Sequence, residues 1–177
     1  MGGILAAHTG VPITPVIGGD PLGENNGSPN DFPDRLRGPG CGSAVNSGSV
    51  NNYIKLNCFA LPVATPAIAA ECQAFAAVPG TCANLDGNAG RNSIIGPGFL
   101  NLDFSLFKNN PIPKISESFN VQFRAEFFNI LNHSNFQTPV DNSTLFNQDG
   151  TPTGGAGSLD ALVGTAREIQ FGLKIIF

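Results

Sequence analysis

Three stretches of this chain alternate apolar and polar residues with period 2. In FLNLDFSLFK (99–108), Leu100, Leu102, Phe104 and Leu106 alternate with Asn101, Asp103 and Ser105. In SFNVQFRAEFF (118–128), Phe119, Val121, Phe123, Ala125 and Phe127 face away from Asn120, Gln122, Arg124 and Glu126. In REIQFGLKIIF (167–177), Ile169, Phe171, Leu173, Ile175 and Phe177 alternate with Glu168, Gln170, Gly172 and Lys174, and only Ile176 breaks the rhythm. Successive side chains of a strand point to opposite faces, so this is a strand signature, and no helical stripe fits as well. A fainter fourth candidate is GGILAAHTG (2–10), weakened by its Ala and Gly content. The pattern predicts an all-β fold with antiparallel strands near 2–10, 98–108, 117–128 and 167–177.

The connections are unequal. NNPIPKISE (109–117) is short and its two prolines read as a turn, whereas 11–97 and 129–166 are long and rich in Gly, Pro, Asn and Ser. Loops of that length are rare in compact domains. With four antiparallel strands, both long connections fall at one end and the short one at the other. That is the plan of an outer-membrane β-barrel, with short periplasmic turns and long extracellular loops. The three clear segments also have the roughly 9–11 residues that a tilted strand needs to cross a bilayer. In such a barrel the apolar positions meet lipid, and Gln122, Arg124 and Glu126 face a wet lumen. A soluble sandwich with the alternation turned about its core fits the pattern alone equally well.

Composition narrows the choice of partners. Nine basic and 13 acidic residues give a net charge of −4, leaving no basic surface for nucleic acid. Only 12% of residues are charged, against about a quarter in ordinary soluble domains. No run of 18 apolar residues makes a transmembrane helix, and the first ten residues lack the basic and apolar regions of a signal peptide. Cys41, Cys58, Cys72 and Cys82 contain no C-x-x-C pair, which disfavours zinc; an even set of loop cysteines suggests disulfides in an oxidising compartment. Sequential pairing, Cys41–Cys58 and Cys72–Cys82, closes the shortest loops, although four cysteines allow three pairings. Disulfides without an export signal lead us to expect an N-terminal portion before Met1.

Several longer phrases carry a resemblance. GRNSIIGPGFLNLDFSLFKN, FRAEFFNILNHSNFQTP and the terminal REIQFGLKIIF closely resemble the C-terminal end of TonB-dependent outer-membrane receptors, in particular the Oar-like group with a carboxypeptidase-regulatory-like domain. GILAAHTGVPITP resembles an earlier strand-and-loop phrase in which Ser-Gly commonly stands in place of Thr9-Gly10, and FPDRL through NCFALP resembles the next loop. The resemblance covers nearly the whole chain. It implies a C-terminal barrel fragment in the outer membrane of a Gram-negative cell, from a receptor importing a bulky nutrient such as a siderophore or an oligosaccharide. It implies lipid as surroundings, and a terminal strand (Ile169, Phe171, Leu173, Ile175, Phe177) read by the barrel-insertion machinery and used for closure. It further implies coupling to the TonB system through the missing N-terminal part, so that the fragment alone transports nothing. The chain has no Trp and one Tyr, so Phe would have to furnish the aromatic girdle.

No catalytic, cofactor-binding or metal-ligating set is expected. His8 and His133 read as polar residues near strand ends, and no G-x-S-x-G accompanies them. NQDGT (147–151) lacks the ligand series of a calcium loop and reads as a turn. GPGCG (38–42) lacks the strand–helix setting of a phosphate loop. Arg124 and Glu126 read as lining a wet wall or joining cross-strand ion pairs, and Asn129, Asn132 and Asn135 as Asx turns. The other function classes are a surface-exposed structural or adhesive β protein that binds a partner through its long loops, and a secreted hydrolase, which lacks a catalytic constellation.

Overall fold

The computed structural model describes residues 1–19, 31–64, 66–67, 70 and 86–177. In chain order the strands are β1 (Gly2–His8), β2 (Pro12–Ile13), β3 (Val16–Ile17), β4 (Asp34–Arg35), β5 (Phe59–Ala60), β6 (Ile94–Ile95), β7 (Phe99–Pro111), β8 (Asn120–Phe128), β9 (Thr144–Phe146) and β10 (Glu168–Ile176). The fold is all-β and divides into two compact units.

The sheet unit holds Met1–Thr9, Gly98–Phe136 and Leu162–Phe177. Its four strands are antiparallel in the order β1-β7-β8-β10. His8 pairs with Phe99 and Phe128 with Glu168, so both long connections leave from one end of the sheet. The turn between β7 and β8 lies at the other end.

β7 extends beyond the expected turn boundary. Residues 109–111 belong to the strand, with Pro111 opposite Asn120. Ile112 N–H donates to Phe119 O at 2.9 Å, which makes Pro111–Asn120 a pair whose backbone nitrogens point away from each other. β1 pairs with β7 only as far as Ser105, so the Pro111 nitrogen faces an edge with no described neighbour. A proline costs the ladder nothing there.

The loop unit holds Gly10–Pro97 and Gln137–Ala161, and it contains most of the buried core. Ile17, Ile54, Ile94, Leu145 and Cys58 are almost wholly buried there. Strands of two or three residues tie the core together: β2 with β6 and β4 with β5 antiparallel, and β3 with β9 parallel. The long connections therefore interlock. Ile54 N–H donates to Gly157 O (2.9 Å) and Leu159 N–H to Val50 O (2.8 Å). Gly157 has φ +75° and a Cβ added there would collide with Ile54 O, so a side chain is barred by both conformation and space.

Cys41 and Cys58 form the expected disulfide, with Cα atoms 5.4 Å apart. Cys72 and Cys82 lie outside the described residues. The NQDGT stretch is a turn: Asp149 Oδ1 accepts from Thr151 N–H (2.9 Å) and from its hydroxyl (2.6 Å). Those bonds hold the Asp149 carboxyl below its ordinary pKa.

Candidate membrane-facing sheet and its polar face

The register of the sheet gathers the apolar positions on one face. Across β7, β8 and β10 the rows run Phe104–Phe127–Ile169, Leu106–Ala125–Phe171, Lys108–Phe123–Leu173 and Asn110–Val121–Ile175, so the face turns polar only at the turn end of β7. β1 adds Leu5 opposite Leu102 and Ala7 opposite Leu100. Phe171 and Leu173 are each 67% exposed, and Leu5, Leu106, Phe123, Ile169 and Ile175 are also exposed. Covering each such side chain is worth about 1.5–3 kcal/mol, so a water-facing row of this kind is strongly disfavoured. Cross-strand aromatic contacts join the face, Phe104 with Phe127 at 6.3 Å and Phe123 with Phe171 at 6.0 Å between centroids. Such pairs contribute about 0.5–1.5 kcal/mol each. Phe177 follows β10 and is almost fully exposed.

Strand length suits a bilayer. The nine residues of β8 or β10 extend about 30 Å, which at about 45° of tilt covers roughly 21 Å, close to the apolar band of about 25 Å in such barrels. Among the described residues no helix is long and apolar enough to cross a membrane, which leaves crossing by strands untouched. Tyr53 is not a girdle residue. It is buried in the loop unit, where its hydroxyl donates to Ile95 O (2.8 Å) and burial pushes its pKa up.

Gln122, Arg124 and Glu126 share the opposite face with Asp103, Ser105 and Asn109 of β7 and with Gln170 and Lys174 of β10. Gln122 Nε2 donates to Asn109 Oδ1 (2.8 Å) and Arg124 Nε donates to Gln122 Oε1 (2.7 Å). Among the described residues Arg124 makes no ion pair with Glu126 or any other carboxylate, so an amide ladder stands where cross-strand ion pairs were one expectation. Ile4, Phe107 and Phe128 also lie on this face, but its amides and charges leave it mostly polar and suited to water.

At the loop end of the sheet the asparagines of NILNHSN do more than turn the chain. Asn129 (φ +46°) and Asn132 (φ +51°) take left-handed conformations, which Asn tolerates better than other side chains. Asn129 Nδ2 donates to His133 O (3.1 Å) and Thr165 O (3.0 Å), while its Oδ1 accepts from His133 N–H (3.0 Å). Asn132 Oδ1 accepts from Arg167 N–H (3.2 Å), and Asp103 Oδ1 accepts from Asn129 N–H (2.9 Å). Asn135 reaches the start of β7, where it bonds both backbone groups of Leu100. Asn129 and Asn135 are 5% and 4% exposed. This latch pins the entry of β10 to the exit of β8. The local Asx signal was readable in sequence, but the bonds to Leu100 and Thr165 were not.

A cavity of about 400 Å³ opens beside the latch, lined by Phe99, Asp103, Phe128, Glu168 and Gln170 among others. His8 stacks on Phe99 at 5.2 Å, and His133 Nδ1 lies 3.0 Å from Asn135 Oδ1. Its amides and carboxylates can hydrogen-bond a hydroxylated solute or water.

A sheet with one lipid-compatible face, one wet face and strands of bilayer length agrees with the comparison against protein families. A family model described as "Outer membrane beta barrel domain" matches residues 1–170. No curated protein and no solved structure matches the chain. The exposed apolar face suits the lipid of the outer membrane, where this protein resides, and the chain belongs to the outer membrane beta barrel domain family.

Proposed function

We propose that the chain supplies adjacent staves to the barrel of a TonB-dependent, Oar-like receptor that imports a bulky nutrient such as a siderophore or an oligosaccharide. The observation that carries this reading is the open four-stranded sheet β1-β7-β8-β10 with both long connections at one end. The four described strands of this sheet fall short of the about eight in the smallest outer-membrane barrels. In lipid, each unsatisfied backbone group on the edges β1 and β10 would cost several kcal/mol, so further strands must pair with both. The phrases at 90–109, 123–139 and 167–177 resemble those receptors and support the subtype.

In this reading the 112–119 turn is periplasmic, the loop unit is extracellular, and Gln122, Arg124 and Glu126 line the lumen. Ile169, Phe171, Leu173, Ile175 and Phe177 form the terminal strand engaged by the insertion machinery. The plug and the energy-coupling segment belong to other parts of the receptor.

The test compares uptake of labelled siderophores and oligosaccharides in three strains: wild type, one lacking this gene, and one lacking the energy-coupling protein. Loss of the same substrate in both mutants supports import. If uptake is unchanged in both, while the protein still resides in the outer membrane and mediates attachment, the adhesive reading replaces it.

A further inference from the structure

The loop unit holds a second cavity, of about 590 Å³, within the usual range for small-molecule sites. Arg35 and Arg37 both line it, and no carboxylate does among the described residues, although the whole chain carries −4. Arg35 is fixed in place. Its Nη2 donates to Cys41 O (2.6 Å), its Nη1 to Cys58 O (3.1 Å) and to Leu36 O, and its guanidinium lies 5.3 Å from the Phe59 ring centroid. The Cys41–Cys58 bridge thus anchors the carbonyls that hold a cation at the cavity wall. Burial and, secondly, the neighbouring Arg37 guanidinium lower the Arg35 pKa.

Arg37 is exposed and, among the described residues, makes no hydrogen bond or ion pair. The nearby Asp34 carboxylate is engaged elsewhere, accepting Asn88 N–H at 3.1 Å. Asn88 Oδ1 accepts Arg35 N–H (2.8 Å), which leaves the Asn88 amide NH₂ as a further donor at the wall.

The glycines of the wall point the same way. Gly38, Gly42 and Gly90 line the cavity, none has a left-handed φ, and a Cβ added to any of them meets nothing within 4 Å. Neither conformation nor packing against this protein calls for glycine there, but close approach of a ligand to the backbone would.

We infer that this cavity binds a small, water-soluble anion bearing carboxylate or phosphate groups, with Arg37 as the principal contact and Arg35 as a fixed second cation. Guanidinium groups suit both oxyanions through paired N–H donors. The site does not depend on the import reading, since an extracellular loop can capture an anion for any purpose.

The experiment is calorimetric titration of the oxidised protein, expressed from its whole natural reading frame and held in neutral detergent at low salt, with citrate, with inorganic phosphate and with glucose as the uncharged control. Citrate or phosphate is expected to bind and glucose not to. Arg37→Gln should weaken binding at least about tenfold, in line with the loss of a charged hydrogen bond. Gly42→Leu and Gly90→Leu should weaken it comparably while leaving the thermal transition in place, because they fill space the protein itself leaves empty. Failure of both anions to bind the parent chain, or unchanged affinity in all three variants, would overturn the inference. So would a clear preference for lipopolysaccharide over both free anions, which would make the ligand a headgroup.

Discussion

Asn135 acts as a strand partner to Leu100: its Oδ1 accepts the Leu100 N–H at 2.8 Å and its Nδ2 donates to the Leu100 carbonyl at 3.0 Å. One side-chain amide thereby closes both backbone bonds of a residue near the start of β7. With Asn129 bridging His133 and Thr165, it fixes where two strands of the sheet begin and end.

Asn135→Ala should cost about 1–3 kcal/mol, the penalty for leaving buried backbone groups unpaired. Asn135→Asp should be similarly harmful, because a carboxylate cannot donate to the Leu100 carbonyl. Hydrogen exchange on the detergent-solubilised protein is the measurement. The Leu100 amide should lose protection well before the middle of β8. Equal protection in Asn135→Ala and the parent would mean that the latch carries no load.

The disulfide and Arg35 act on one structure. Cys41 and Cys58 are 17 residues apart, and closing a loop of that size contributes about 3 kcal/mol in the chain-entropy model. Cys58→Ser, with Cys41→Ser to avoid a free thiol, should lower the thermal transition of the loop unit and leave sheet-unit exchange nearly unchanged. Arg35→Lys should also destabilise it, since an ammonium cannot span the carbonyls of Leu36, Cys41 and Cys58 while lying on Phe59. Differential calorimetry of the three proteins checks both outcomes.

Tyr53 gives the loop unit a pH limit. Its pKa is raised by burial, so the folded state holds the phenol proton more tightly than the unfolded one. The corresponding stability is full below the unfolded phenol pKa of about 10 and is lost as pH rises through the folded value. Tyr53→Phe removes the bond to Ile95 O and should cost about 1 kcal/mol at neutral pH. It should also flatten the alkaline decline. Melting curves between neutral pH and strong alkali would show it; parallel declines in both proteins would contradict the assignment.

What the sequence made legible was the periodic part. The strands β7, β8 and β10 alternate so regularly that the shared face of Phe104, Phe127 and Ile169 follows from the sequence, while their register came with the pairing. The loop unit was not legible, because its core consists of single residues such as Ile17, Ile54 and Leu145 scattered through Gly-, Pro- and Asn-rich segments with no period. Pro111 misled in the other direction. A proline reads as a turn until the pairing shows that its nitrogen lies on the open side of the strand. Of the candidate site residues, the apolar set of β10 followed from alternation. The grip of Arg35 on the two bridged cysteines depends on contacts 6 and 23 residues away and left no local mark.

If β10 alternates between lipid and a wet interior, charge scanning in the membrane will separate its two faces. Phe171→Arg and Leu173→Arg place a guanidinium on the lipid face, at about 2–4 kcal/mol near the bilayer midplane. Gln170→Arg and Lys174→Glu change the opposite face, where water is available. Each variant is made in the protein expressed from its whole natural reading frame, and the assembled fraction is read by heat-modifiable migration of outer-membrane extracts. The first pair should lose most of its assembled barrel and the second should assemble near-normally. Equal tolerance of all four substitutions would contradict that alternation.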